Sequence, residues 1–307
     1  MKHIINTILI FMVILNGCNP FCFSERKDKT DMRIFYQTPA WNLVKAIEND
    51  DSSTIKDLIY KNPKLLNFQE RVYGISLIQR AVGRRKYVAT KTLIELGVDL
   101  NLQSKIGDAP IFDAIGYRWG DNNSVEDNSM LQLLLESGAN PNIIYNYGTN
   151  NGEEVNVTEY GTTPLMYAIA YSYGYQFVQL LVKYGADIDA KTPLGTTAAI
   201  EALRSGDIKS AYYLIVLHNA KITEPYFYYK FGTLEVDVDN PHYPIDLLLS
   251  LTYELDSKEY IIKKNIINKF EQYGIHYQER KNKIPKTILE KIKRKYPNTW
   301  KEYIIKY

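Results

Sequence analysis

Cysteine is scarce in this 307-residue chain: Cys18 and Cys22 are its only two, and both precede residue 23. The body therefore has no thiols for a disulfide framework or a cysteine zinc site. Histidine is nearly as rare, and His3, His218, His242 and His276 are too scattered for an HxxxH-type metal pair. Net charge is only +2, so no overall field draws the chain to nucleic acid, and no such partner is expected. The chain has no GxxxxGK(S/T) loop, no HExxH, no GxSxG and no CxxC. Without a phosphate cradle, a metal pair or an activated nucleophile, the chain is expected to have no catalytic residues, bind no cofactor or metal and not be an enzyme. Glu235, Asp237 and Asp239 gather three acids, but without the spacing of a calcium loop they read as solvated turn residues. Hydrophobic residues at 45% and charged residues at 23% exclude a wholly disordered chain and a polytopic membrane protein.

Charge is present but unevenly placed. Residues 258–307 hold 14 basic and 5 acidic side chains, while residues 1–257 hold 23 basic and 30 acidic, so an acidic body precedes a basic tail. Tyrosine is abundant at 26, either from coding bias or because aromatic surfaces bind something. At the N-terminus, Lys2 is followed by an apolar stretch from Ile4 to Leu15. That run falls short of the roughly 20 residues a spanning helix needs and fits a secretory signal. Leu15-Asn16-Gly17-Cys18 resembles the bacterial lipobox, L-x-(G/A)-C, with a less favoured Asn16. The resemblance implies cleavage after residue 17, acylation of Cys18 and a membrane-anchored lipoprotein of the bacterial envelope, on the periplasmic side or the cell surface. A simple cleaved signal, with export to the periplasm, or an uncleaved anchor is the alternative. Residues 18–38 follow as a tether without apolar periodicity.

Beyond residue 38 a frame recurs. Tyr160-Gly161-Thr162-Thr163-Pro164-Leu165-Met166-Tyr167-Ala168 leads to Leu180-Leu181-Val182-Lys183-Tyr184-Gly185-Ala186-Asp187. Thr163 suits a helix N-cap and Pro164 the first helical position. Ala168 lets two helices approach, and Gly185 ends the second helix in a left-handed conformation. The frame returns at Gly74 to Ala81, Gly107 to Ala114 and Gly195 to Ala202, with weaker copies around Ala46 and Leu248. These units resemble the ankyrin repeat, G-x-T-P-L-H-x-A followed by L-L-L-x-x-G-A-D-x-N, although Gln79, Phe112, Met166 and Ile200 stand where that pattern has histidine. The resemblance implies an all-α ankyrin solenoid over residues 39–277. It would hold about six helix-turn-helix units, β-hairpin fingers and degenerate first and last units. A basic C-terminal helical segment occupies 278–307.

Spacing locates the extra residues. Unit three gains a polar loop between its helices, Tyr117 to Asn123, which includes Trp119. Two larger insertions fall at finger positions, on one edge: Ile143 to Glu159 with Tyr145 and Tyr147, and Pro225 to Val238 with Tyr226, Phe227, Tyr228 and Tyr229. Long loops in compact folds are usually functional or disordered, and aromatic residues are unusual in disordered loops. These seven aromatic residues are either anchors for a partner or a cap over neighbouring repeats. In the tail, Ile288, Leu289 and Ile292 share one helical face, for packing on the last repeat or for contact with an anionic membrane. The family resemblance implies a non-catalytic protein–protein binding module gripping an unknown protein, such as a toxin blocked by an immunity or inhibitor protein. A structural envelope scaffold and a glycan-binding lipoprotein are the alternatives.

Overall fold

The computed structural model describes residues 29–105, 107–115, 127–145, 160–170, 174–231, 233, 235–281 and 284–306. The signal peptide, Cys18, residues 18–28 of the tether, Trp119, Tyr147 and the middle of the first finger insertion lie outside the described residues. Helices come in successive pairs. These are α1 Trp41–Glu48 with α2 Ser52–Lys61, α3 Leu77–Gly83 with α4 Tyr87–Glu95, α5 Pro110–Ile115 with α6 Ser129–Glu136, α7 Pro164–Ala170 with α8 Tyr175–Lys183, and α9 Ala198–Ser205 with α10 Ile208–Tyr212. A short α11 Pro244–Leu247 and a long α12 Lys258–Gln272 come next, then α13 Tyr277–Lys281, α14 Lys286–Lys295 and α15 Trp300–Lys306.

The recurring alanines set the stacking. Ala46, Ala81, Ala114, Ala168 and Ala202 are all buried, as is Leu248 in the sixth slot. The first helices α1, α3, α5, α7, α9 and α11 touch one another in chain order. A small side chain at each of these points brings neighbouring backbones close, so burial accumulates from unit to unit into one core. That core runs from Ile34 to Tyr277. N-caps lock the register: Ser76 and Gln79 form a reciprocal capping box, and Thr163 and Thr197 accept from the Met166 and Ile200 N–H groups at 3.3 Å.

The second helices close on a shared turn. The Val98, Ala139 and Ala186 N–H groups donate to carbonyls five residues back, at Leu93, Leu134 and Leu181. After α10 the chain makes one turn of π-helix, Tyr213–Leu217, and the Ala220 N–H reaches six residues back, to Leu214. The wider turn absorbs one extra residue. Asn219, at φ +57°, takes the place that glycine fills elsewhere.

Between units, side-chain acceptors replace strand pairing. Asn67, Asn101, Asn142 and Asp189 each accept from a backbone N–H of the next unit, at Asp99, Asn140, Asp187 and Lys221, over 2.7–2.9 Å. Opening glycines sit where the following unit leaves no space. A Cβ on Gly161 would lie 2.7 Å from Pro193 Cδ, and one on Gly74 would lie 2.8 Å from the Lys105 nitrogen.

Two features differ in detail from the expectation. The described residues contain no strand; only isolated antiparallel bridges form, Gln69 with Ser76, Tyr226 with His242 and Tyr229 with Val236. The second insertion is thus a short hairpin of isolated backbone pairs rather than a continuous ladder, and the described end of the first is tied at its neck by Tyr145. The tether also ends sooner than residue 38. Met32–Phe35 forms one 3-10 turn, with Ile34 and Phe35 buried in the main core, so residues 29–38 belong to the folded body. Among the described residues no helix is long and apolar enough to cross a membrane.

Candidate functional site: an aromatic cleft between two insertions

A cleft of about 250 Å³ opens between the first helices α7 and α9 and the turns that precede them. Tyr145 of the first finger insertion and Tyr160, which opens the unit after it, form one side, and Tyr228 and Tyr229 of the second form the other. Met166, Tyr167 and Ala170 of α7 line it, with Thr162, Thr192, Leu194, Thr196, and Glu201 and Arg204 of α9.

Each wall is held by the backbone. Tyr145 exchanges two hydrogen bonds across the neck of the first insertion: its N–H donates to the Thr162 carbonyl at 2.8 Å, and its carbonyl accepts from the Gly161 N–H at 3.0 Å. The second insertion is tied at its base by the reciprocal Tyr226–His242 pair, both bonds at 2.9 Å. Higher up, the Asp237 N–H donates to the Tyr228 carbonyl at 2.8 Å. The Phe227 N–H also donates to the Leu194 carbonyl of the preceding turn at 2.8 Å. Rings complete the frame. Tyr145 stands edge-on to Phe112 at 5.2 Å and is stacked with Tyr167 at 6.5 Å, and Phe112 and Tyr167 meet at 5.3 Å. Burial, and then the neighbouring Tyr160, hold the Tyr229 hydroxyl above its ordinary pKa.

The seven residues read from sequence divide. Tyr145, Tyr228 and Tyr229 come together in the cleft. Tyr226 is 3% exposed and faces inward, edge-on to Tyr228 at 5.7 Å and against His242 at 5.6 Å. Burial, then Tyr228, raise its phenol pKa well above the ordinary value. It is a strut rather than an accessible anchor, because a ring at the base of a short hairpin has the core beneath it. Phe227 is half-buried and does not line the cleft. Trp119 and Tyr147 lie outside the described residues.

Sequence reading missed Tyr160, Tyr167, Glu201 and Arg204. They sit inside repeat units rather than in insertions, where an aromatic or charged residue reads as ordinary helix surface. One signal was available: Phe112 and Met166 occupy the slot where the family pattern has histidine, and one builds the ring cluster while the other lines the cleft.

Beside Tyr145 lies a buried polar cluster that sequence reading also missed. The Lys29 ammonium is 2.8 Å from the Asp108 carboxylate, which also accepts from Gln79 Nε2 at 2.9 Å and from the Ser104 hydroxyl. Burial works to lower the Lys29 pKa, but the Asp113 and Asp108 carboxylates outweigh it and hold the ammonium above its ordinary value. Asp113 is driven the other way: burial, then the Asp108 charge, push its carboxyl well above the usual range. The next contact along the arm is the Thr30 carbonyl, which accepts from Arg80, itself paired with Glu48. Among the described residues no group of three or more His, Cys, Asp or Glu is arranged to hold a metal.

The matched family fits this arrangement of paired helices and stacked turns. Residues 125–225 match the family model described as ankyrin repeats (3 copies). The match spans α6 through the π turn and includes the whole aromatic cleft except Tyr228 and Tyr229. No curated protein matches the chain. Ankyrin repeats are in general non-catalytic modules of protein–protein interaction. The helix pairs in the matched region thus supply a floor, and the two insertions, one within the matched region and one beginning at its edge, supply the walls.

Proposed function

We propose that this chain is a non-catalytic protein-binding module of the bacterial envelope, carried on an acylated Cys18, that grips a partner in the cleft between its two finger insertions. In this reading residues 1–17 are a lipoprotein signal. Residues 39–277 form six ankyrin units, the outer ones degenerate, whose fingers are extended at two places. The observation that carries the reading is the convergence of Tyr145, Tyr160, Tyr167, Tyr228 and Tyr229 on one cleft. Tyrosine offers apolar area and a polar tip at low rotamer cost, and interface anchors cluster in desolvated pockets of this kind. The acidic body, net −7 over residues 1–257 from 23 basic and 30 acidic side chains, suits a basic partner, as an immunity or inhibitor protein facing a toxin would require.

The test pairs two substitutions. Tyr145→Ala with Tyr229→Ala removes one ring from each wall, and affinity capture from envelope extracts compares it with the parent. Loss of one dominant partner, with an affinity loss of about 2 kcal/mol or more once that partner is purified, is expected; an unchanged partner set sinks the cleft and favours an envelope scaffold. Cys18→Ser tests the anchor separately: fatty-acid labelling should vanish, and label persisting in the variant refutes acylation at Cys18.

A second reading has its own observation. The hydroxyls of Thr162, Thr192 and Thr196 stand among the rings of a cleft sized for little more than one ring-bearing group. A sugar would use both. Retention on immobilised glycan with no protein partner decides for it.

A further inference from the structure

The C-terminal helices carry a surface that neither the repeats nor the cleft uses. Residues 284–306 hold seven basic side chains against two acidic, Glu290 and Glu302. Their inner face is spent on a small core of its own, in which buried Ile292 and Tyr303 pack with Ile288, Tyr296 and Trp300. Tyr303 fastens that core to the last repeat by donating to the Tyr253 carbonyl at 2.6 Å. The exposed side of α14 carries Lys286, Lys291, Lys293, Arg294 and Lys295 with Thr287 and a single acid, Glu290. Lys293 of α14 and Lys301 of α15 lie 4.8 and 5.7 Å from the half-buried Trp300 ring, and Ile305, beside Lys306, is 76% exposed. The surface continues onto α12, where Lys264 lies 5.0 Å over the Tyr260 ring whose hydroxyl donates to the Lys306 carbonyl.

We infer that this face docks on an anionic lipid surface, independently of acylation at Cys18. A helix exposed only to water mixes both signs of charge more evenly, whereas here basic side chains outnumber acidic ones seven to two beside a body that is net negative. Lysine dominates. Its compact charge suits a diffuse sheet of headgroups, while nucleic-acid phosphates are met preferentially by arginine forks, and Arg294 is the only arginine here. An exposed isoleucine and a tryptophan edge among lysines match the composition of an interfacial helix, in which the ring settles at headgroup depth and the lysine stems lie along it. The α14–α15 hairpin thus supplies charge and a shallow apolar contact, enough to orient the repeats on the bilayer but not to hold them there alone.

The experiment uses the full chain carrying Cys18→Ser, so that no acyl group contributes, and compares it with the same chain bearing Lys291→Gln, Lys293→Gln, Arg294→Gln and Lys295→Gln. Residues 1–17 are common to both, so the difference reads the tail alone. Co-flotation with phosphatidylcholine vesicles and with phosphatidylcholine–phosphatidylglycerol vesicles is measured at low and high salt, with a duplex DNA oligonucleotide as a separate probe. The first chain should partition about ten-fold or more better onto the anionic vesicles, with loss at high salt and in the quadruple variant. The four side chains are exposed, so the melting temperature should fall only slightly, by the loss of the Lys293–Trp300 and Lys295–Tyr296 surface contacts. Equal partition on both vesicle types, retention by the quadruple variant, or tighter binding to DNA than to anionic vesicles overturns the inference.

Discussion

Lys29 and Asp108 lie 79 positions apart in sequence, yet their side chains meet at 2.8 Å, closing the N-terminal arm onto the third helix pair. The Asp108 carboxylate is almost fully buried, whereas Lys29 keeps a third of its side chain in solvent. Removing the ammonium leaves Asp108 beside Asp113 in a low-dielectric site with less compensation. Lys29→Met should therefore destabilise the fold by about 1–3 kcal/mol, less than for a wholly buried pair because of the exposure of Lys29. Urea midpoints measure the loss. A double-mutant cycle with Asp108→Asn should return a coupling of about 1 kcal/mol or more; additivity would mean that the arm is held by its other contacts, the Thr30–Arg80 bond and the buried Ile34 and Phe35.

Asp113 gives a pH dependence whose sign is fixed. Its carboxyl is raised in the native state by burial and by Asp108, so the native state holds a proton that the unfolded chain releases above about pH 4. Stability from this site therefore falls as pH rises from about 4 toward the raised native value. Asp113→Asn keeps a hydrogen-bonding amide there and cannot ionise. The variant should match the parent near pH 4, gain on it steadily toward neutrality, and flatten the profile. A parent-like slope in the variant assigns the dependence to other groups.

Glycine positions separate two costs that are usually confounded. Gly161 and Gly185 share nearly the same φ, +80° and +87°, so alanine is strained at both. A Cβ on Gly185 meets nothing within 4 Å, whereas on Gly161 it meets Pro193 Cδ at 2.7 Å. Gly185→Ala should cost about 1 kcal/mol and Gly161→Ala clearly more. Thermal melts giving equal losses would place Pro193 elsewhere in solution.

Much of the fold was legible because the repeat writes the same physics several times. Thr163, Pro164, Ala168 and Gly185 each announce a local requirement, a cap, a first turn, a close approach and a left-handed stop, and all of them take those places. Ala168, 1% exposed, is the sharpest of these: Ala168→Leu should overpack α7 by about 1–3 kcal/mol. What stayed hidden depends on contacts distant in sequence. Nothing in the local pattern around Lys29 points to Asp108, and the π turn at Tyr213–Leu217 is formed by an ordinary apolar run of tyrosine, leucine, isoleucine and valine. The cleft was half legible: its insertions stand out by spacing, but Tyr160 and Tyr167 gain their place only when two units stack.

The tyrosines of the second insertion offer the cleanest division between holding the fold and holding a partner. Tyr226 is buried at the hairpin base, whereas Tyr228 is 43% exposed and Tyr229 faces the cleft. Tyr226→Ala deletes a ring packed against both Tyr228 and His242, and its cost should approach the 3–5 kcal/mol typical of large core aromatics, reduced to about 2–3 because the hairpin lies at the surface and can relax. Tyr229→Ala removes a ring whose outer side faces the cleft, so its stability cost should stay near 1 kcal/mol or below. Affinity should run in the opposite order: Tyr229→Ala weakens partner binding directly, and Tyr226→Ala weakens it only by lowering the folded fraction. Melting curves and binding isotherms on the same two proteins, with affinity corrected to the folded population, resolve the difference. If Tyr229→Ala lowers the melting temperature as far as Tyr226→Ala does and leaves corrected affinity intact, the second insertion is a cap over the repeats and the partner binds elsewhere.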